Sequence, residues 1–427
     1  MLIEFSVTNF RSILDRQALS LSMAKGDELV EENTFKVNAF NEFNLLRSAA
    51  IYGANASGKT NFLLALMVMK DMVANSASGK QRGDQLPVVP FKLDKESSLK
   101  PSEFEVTFIV DNIRYQYGFS ATEDKVYDEW LLAYPKGRAQ RWLDRQWNET
   151  TNEYDWDLGN NLFGEKQMWQ KSTRDNALFL STAVQLNSKQ LEPLYDWFNK
   201  FLRMAGVNGW GMGFSASLCE KEEKKKILDF LKAADLDIDD IKVESEPFDV
   251  SSLPDDIPQT VRNEIARDMK GKKVLDISTI HKASDGSDVV FDIEDESEGT
   301  KRLFGLAGPW VDVLANGYVL FIDELHNNLH PKLVKFLVSL FHSKETNPKN
   351  AQLVFTTHDT SILHQDVFRR DQVWFCSKNK SQATEIYPLT DFSPRKGREN
   401  LELGYLSGRY GAIPFTKEIN PMWKGHQ

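Results

Sequence analysis

The stretch Ser48-Ala49-Ala50-Ile51-Tyr52-Gly53-Ala54-Asn55-Ala56-Ser57-Gly58-Lys59-Thr60-Asn61-Phe62-Leu63-Leu64-Ala65-Leu66-Met67 decides the fold. Its first residues, 48 to 52, form a short apolar run that reads as a buried strand. Residues 53 to 60 match G-x-x-x-x-G-K-[ST], and residues 61 to 67 read as the opening of a helix. A strand, a glycine-rich turn and a helix start together aim backbone N–H groups and the positive end of a helix dipole at phosphate. The pattern assigns Lys59 to the β- and γ-phosphates and Thr60 to a Mg²⁺ ion. Gly53, Asn55, Ser57, Gly58 and Asn61 complete the candidate nucleotide-binding set.

Further along, Tyr318-Val319-Leu320-Phe321-Ile322 ends in Asp323-Glu324, and Gln352-Leu353-Val354-Phe355-Thr356-Thr357 ends at His358. Helical patterns over about 303–314 and 331–341 separate these runs, which predicts parallel strands buried on both faces. Ligands in open α/β sheets bind at the carboxyl ends of such strands. Asp323 is a candidate Mg²⁺ ligand, directly or through water. Glu324 is a candidate base for an attacking water, and His358 a candidate contact to a γ-phosphate. Taken singly, an Asp-Glu pair also suits a helix start, and a lone His is commonly structural. The joint order of loop, carboxylates and His is what points to ATP chemistry.

With 41% hydrophobic and 27% charged residues, the chain suits a globular protein. No run nears the ~18 apolar residues of a membrane helix, and residues 1–5 are not a basic-then-apolar leader. Two cysteines, Cys219 and Cys376, make no disulfide framework or zinc cluster. A cytoplasmic protein without membrane contact is expected. The net charge of −10 does not indicate a surface that tracks nucleic acid, although a local patch stays open.

Ile3, Phe5 and Val7 alternate with Glu4 and Ser6 as a half-buried strand, and a polar, loop-rich stretch runs on to Asn44. Phe104, Val106, Phe108 and Val110 alternate, as do Ile113, Tyr115, Tyr117 and Phe119; Asp111-Asn112 between them predicts a hairpin. Period-2 spacing makes these aromatics core residues rather than a base-stacking platform. Residues 176–202 turn helical, residues 219–234 form a charged helix with one apolar stripe, and the acidic, proline-containing stretch 235–258 reads as a connector.

The order of motifs resembles the ABC-type ATPases. The opening resembles their branch of chromosome-maintenance and recombination ATPases, on Asn9-Phe10-Arg11-Ser12 after the first strand and Asn55 in the phosphate loop. Asp323-Glu324 matches the Walker B position and His358 the switch histidine. Asn328-Leu329-His330-Pro331 falls at the D-loop, with His330 in place of the usual Asp. Glu296-Ser297-Glu298-Gly299-Thr300-Lys301 falls at the signature, usually Leu-Ser-Gly-Gly-Gln; Ser297 and Gly299 are kept in kind. That form, and residues 405–414, are similar to bacterial ATPases grouped with overcoming-lysogenization nucleases and abortive-infection proteins.

The resemblance implies an α/β fold: an ABC-type ATPase head with a mostly parallel core sheet, an antiparallel β-subdomain over about 90–135 and a helical insertion. Residues 1–175 and 274–427 are assigned to the head and 176–273 to the insertion and acidic connector. It implies that Ser297, Gly299 and Thr300 reach the γ-phosphate on a second copy, so that ATP joins two chains head to tail in a homodimer or higher oligomer. Hydrolysis (ATP and water to ADP and phosphate) would release them. Ser297 also suits a helix N-cap. Arg11 is a further nucleotide contact, and Gln116 or Gln185 a glutamine-loop residue.

The residues after His358 read as closing strands, with no room for a nuclease domain of ~100 residues. A separately encoded, nuclease-like effector is therefore expected. The expected function is an ATP-binding and hydrolysing sensor or switch in bacterial anti-phage defence, a role carried by analogy alone. Two alternatives stay open: a DNA-repair or chromosome-maintenance ATPase that clamps DNA, and a non-hydrolysing scaffold that assembles with ATP.

Overall fold

A computed structural model describes residues 1–39, 41–206, 210–221, 223–254, 257–269, 271 and 273–414. The chain forms two compact units, Met1–Val207 with Leu314–His326 and Val334–Gln427, and Asn208–Val313 with Asn327–Leu333.

The first unit is built on a six-stranded sheet with the spatial order Leu202–Ala205, Val319–Ile322, Gln352–Thr357, Ser48–Tyr52, Val373–Lys378, Thr384–Pro388. All neighbours run parallel except the last pair. Every residue of Ser48–Tyr52, Val319–Ile322 and Gln352–Thr357 is buried. A central parallel strand is covered on both faces, which is why these segments read as unbroken apolar runs rather than alternations. Helix Lys59–Asn75 buries Phe62, Leu66, Met69 and Met72 in the same core as Phe5, Phe104, Phe108 and Trp197.

A second, seven-stranded antiparallel sheet belongs to the same unit, in the order Glu153–Asp157, Gln140–Asn148, Val126–Tyr134, Ile113–Ala121, Ser102–Val110, Leu2–Thr8, Gln17–Ser20. It is larger than the subdomain expected at 90–135. The expected hairpin is present, and its turn residues Asp111 and Asn112 have φ of 50° and 61°. Two successive left-handed residues match the twist of the flanking strands. The aromatics are core: Phe104 and Phe119 lie 5.2 Å apart, and Phe108 stacks on Trp197 at 4.3 Å.

Three segments differ from the sequence reading. The stretch before Asn44 is not loop-rich but carries strands Gln17–Ser20, Thr34–Ala39 and Asn41–Leu46. Their apolar residues, such as Leu19, Phe35 and Val37, are few but buried on partners distant in sequence. Residues 176–205 pack in the head: Phe179, Leu191, Trp197 and Phe198 join its core, and Leu202–Ala205 is an edge strand of the parallel sheet. Their entry is fixed by Glu129, buried with Arg145 at 3.7 Å. Glu129 accepts the N–H groups of Phe179 (2.6 Å) and Leu180 (3.0 Å), so a carboxylate sits on the start of helix Phe179–Gln185.

In the second unit, strands Asp240–Pro247, Lys273–Lys282 and Asp288–Asp292 form an antiparallel sheet with helices Gly213–Cys219, Lys224–Ala233 and Gln259–Asp268. The supposed connector 235–258 thus contains a strand, anchored by Ile241 and Ile277, both buried. Its acidic residues face outward and mask the pattern. Within the charged segment 219–234 the helix spans Lys224–Ala233, and Cys219 ends the preceding helix. Among the described residues, no helix is long and apolar enough to cross a membrane.

Candidate active site

The phosphate loop leaves the parallel sheet at Tyr52 and enters the helix at Lys59. Only glycine fits two of its positions. A Cβ at Gly58 would lie 1.9 Å from Thr384 Oγ1, on a backbone with φ of 112°; one at Gly53 would lie 2.4 Å from the Cys376 carbonyl oxygen. Ala56 also takes a left-handed φ, 61°. The loop, with Ser12, Asn61, Glu324 and Lys378, lines a cleft of about 420 Å³.

Lys59 is buried; its Nζ donates to the carbonyls of Gly53 (2.8 Å) and Ala54 (3.2 Å) and lies 3.8 Å from Glu324 Oε1. Thr60 Oγ1 donates to Asp323 Oδ2 at 2.7 Å, and Thr356 Oγ1 donates to the other Asp323 oxygen at 2.5 Å. Asp323 is 2% exposed. Glu324 stands on a left-handed backbone, φ 52°, with its N–H donated to Thr356 Oγ1 at 2.8 Å. A non-glycine residue in that region is held there by its surroundings, and such residues concentrate at functional sites.

Glu324 Oε2 meets two imidazoles, His326 Nε2 and His358 Nδ1, each at 3.2 Å. The two Nε2 atoms are 2.9 Å apart, and His326 Nδ1 lies 3.0 Å from Thr357 Oγ1. Burial, followed by the neighbouring His358, holds His326 below its ordinary pKa and favours the neutral ring. Cys376, beside the loop, is pushed up to about 11 by burial, and Cys219 likewise to about 11; both are inert thiols.

The sequence-assigned residues Asn55, Ser57, Gly58, Lys59, Thr60, Asn61 and Glu324 line the cleft together. Gly53 and Asp323 touch its residues through Lys59 and Thr60, and His358 through Glu324. Arg11 is not among the lining residues; its guanidinium lies 5.7 Å from the Phe10 ring, and its neighbour Ser12 provides the lining. Ser12 Oγ pairs with Thr384 Oγ1 at 2.8 Å and accepts from Asn61 at 2.8 Å. Neither Gln116 nor Gln185 lines the cleft; Gln116 donates to Glu105 and accepts from Tyr134, both at 2.9 Å.

Ser297, Gly299 and Thr300 belong to the second unit. Ser297 Oγ accepts the Thr300 N–H at 3.1 Å, which makes it the N-cap of helix Glu298–Asn316. A Cβ at Gly299 would stand 3.3 Å from the Asn328 carbonyl oxygen, so the signature and D-loop segments touch. His330 Nδ1 accepts the Lys332 N–H at 3.2 Å, taking the capping role an Asp would have.

The sequence reading missed His326, Lys378 and Ser12. Asp-Glu-x-His was a visible signal for His326, because residues i and i+2 after a strand can turn to one side. Nothing local marked Lys378.

A larger cleft of about 500 Å³ is lined by Phe35, Lys36, Arg47 and others. Its Glu31 and Lys344 pair at 2.5 Å.

Residues 48–364 match the family described as "AAA domain, putative AbiEii toxin, Type IV TA system". The protein belongs to this family of AAA-domain proteins. A search of curated proteins finds no match. Among solved structures, the SMC head domain from Thermotoga maritima is similar at 12% identity, with 91% of this chain and 98% of that one covered and a TM-score of 0.39. An SmcHead bound to the C-winged helix domain of ScpA is similar at 12% identity, covering 91% and 97%, with a TM-score of 0.38. An Smc head with an extended coiled coil, bound to the C-terminal domain of ScpA and derived from Pyrococcus furiosus, is similar at 13% identity, covering 91% and 96%, with a TM-score of 0.39.

The family implies ATP and Mg²⁺, and the residues present fit both. Ser57 Oγ is buried in the loop with no hydrogen-bond partner, an orphan that a phosphate oxygen would satisfy. Thr60 and Asp323 offer only oxygen, the donor set of a hard cation.

Proposed function

We propose that the protein is an ABC-type ATPase that hydrolyses ATP to ADP and phosphate and uses the nucleotide to join two copies of itself. The observation that carries this reading is the placement of Lys59, Thr60, Asp323 and Glu324 within one chain of contacts at the carboxyl ends of two parallel strands that flank a third.

Lys59 and the loop N–H groups hold the β- and γ-phosphates. Thr60 and Asp323 would hold the Mg²⁺, which when bound would neutralise phosphate charge. Glu324 takes the proton of the attacking water, with the Lys59 ammonium 3.8 Å away. His358 contacts the γ-phosphate from the neighbouring strand. Ser297, Gly299 and Thr300, at a helix start, present a hydroxyl and N–H groups to the nucleotide of the second copy. Arg11 is a further nucleotide contact.

The same reading places the chain in bacterial anti-phage defence, as a switch acting on a separately encoded, nuclease-like effector. Support comes from the family description, which names a toxin and a toxin–antitoxin system. The cytoplasm is the compartment that follows.

The test is Glu324→Gln. Loss of a general base lowers turnover by roughly 10²–10⁴-fold, while ATP binding persists and light scattering shows an ATP-dependent dimer. Unchanged turnover sinks the role of Glu324, and a monomer with ATP sinks the shared site.

A further inference from the structure

Glu324, His326 and His358 each offer a ligand atom, and these atoms lie within 4.8 Å of one another. Their pairwise contacts are closer still, at 3.2, 3.2 and 2.9 Å. The contacts to Glu324 and to His326 use different nitrogens of His358, Nδ1 and Nε2. If Thr357 takes the His326 Nδ1 hydrogen, the bare Nε2 of a neutral His326 faces the Glu324 carboxylate oxygen at 3.2 Å with no proton between them. A cation there would meet a lone pair from each. Tetrahedral ligands at about 2.0–2.2 Å from a metal stand roughly 3.3–3.6 Å apart, close to the 3.2 Å of Glu324 Oε2 from His326 Nε2 and from His358 Nδ1.

The surroundings are those of a metal site. Thr357 Oγ1 lies 3.0 Å from His326 Nδ1, where it can accept the Nδ1 hydrogen and leave Nε2 free to ligate. Thr357 Oγ1 is itself held by the Asp359 N–H at 3.0 Å. Lys59 engages the other carboxylate oxygen of Glu324. His358 is exposed, which gives an ion a way in. The donor set of two imidazoles and one carboxylate differs from the oxygen pair Thr60–Asp323. It selects zinc-class ions over magnesium.

We infer that Glu324, His326 and one ring nitrogen of His358 form a site for a zinc-class transition-metal ion, and that the ion, by occupying the carboxylate, switches hydrolysis off. The second half of the inference rests on the ATPase reading; the first does not.

The probe is Co²⁺, titrated into chelator-stripped full-length protein with Mg²⁺ in excess and no nucleotide. Expected is one equivalent bound, with the intense visible absorption of a tetrahedral cobalt site. His326→Asn abolishes that spectrum, and Thr357→Val weakens binding roughly 10–100-fold. Unfolding midpoints without metal check that each variant is folded, and Thr357→Val decides if His326→Asn is not. No binding, or equal binding by wild type and the folded variants, overturns the site. In a second arm Zn²⁺ stops Mg²⁺-ATP turnover of the wild type. Turnover unaffected by a Zn²⁺ ion that does bind overturns the switch alone, and absence of any turnover overturns the ATPase reading while leaving the cobalt result standing.

Discussion

Lys59 Nζ and Glu324 Oε1 face each other at 3.8 Å, the phosphate-loop cation against the strand-terminal carboxylate. The pair comes from opposite halves of the sequence, brought together because strands Ser48–Tyr52 and Val319–Ile322 both lie beside Gln352–Thr357. In the proposed reaction one group holds phosphate and the other activates water, so their roles would separate in mutants.

Lys59→Ala is expected to abolish ATP binding, and Ser297→Ala to leave binding in place but stop turnover. If the site is shared, mixing the two inactive variants restores part of the activity, because one composite site keeps both residues. A mixture as inactive as its parts, with dimers present, argues against action in trans. Loss of the cap alone costs Ser297→Ala only about 0.5–2 kcal/mol, which a denaturation curve separates from the activity effect.

Gly58→Ala places a methyl on Thr384 in a backbone conformation that L-residues avoid. We expect ATP affinity to collapse and stability to fall by about 1–3 kcal/mol. Calorimetric titration with ATP that matches the wild type would show that the loop does not need this geometry.

Arg145 and Glu129 are both fully buried, and Glu129 also organises the start of helix Phe179–Gln185. Burial raises the carboxyl pKa, opposed by Arg145. Arg145→Met leaves that carboxylate uncompensated and is expected to cost about 3–5 kcal/mol in urea unfolding. A loss below ~1 kcal/mol, the range of exposed pairs, would mean the pair is not closed to water.

His342 is buried against Ser48 Oγ at 2.8 Å, and burial, helped by Arg47, holds its pKa down to about 3. The unfolded chain protonates near 6.5, so the stability held by the neutral ring is complete above that pH and is lost as pH falls toward 3. The slope approaches about 1.4 kcal/mol per pH unit. Between about pH 6.5 and 5, before most carboxylates titrate, the wild type should lose unfolding temperature faster than His342→Gln. Parallel curves would remove His342 from the account.

Local chemistry was legible in the sequence. The phosphate loop needs consecutive residues with fixed backbone demands, so Gly53, Gly58, Lys59 and Thr60 announced themselves. Buried parallel strands announced themselves as apolar runs, and their ends located Asp323, Glu324 and His358. The hairpin turn at Asp111-Asn112 was set by two residues that tolerate left-handed backbone.

What the sequence did not decide depends on partners far along the chain. Whether residues 176–205 belong to the head turned on Glu129 and Arg145, more than thirty residues upstream of that segment's core contacts. The strand Asp240–Pro247 exists because Lys273–Lys282 pairs with it, a contact its own acidic composition conceals. Ser12 and Lys378 enter the cleft, and His326 meets His358, only once neighbouring strands bring separate loops to one end of the sheet. The sequence by itself determined the phosphate loop and the strand-end carboxylates, because backbone conformation and burial of consecutive residues are local demands. Tertiary structure alone decided the imidazole pair and the boundaries of the head, because side-chain proximity is a property of the packed sheet.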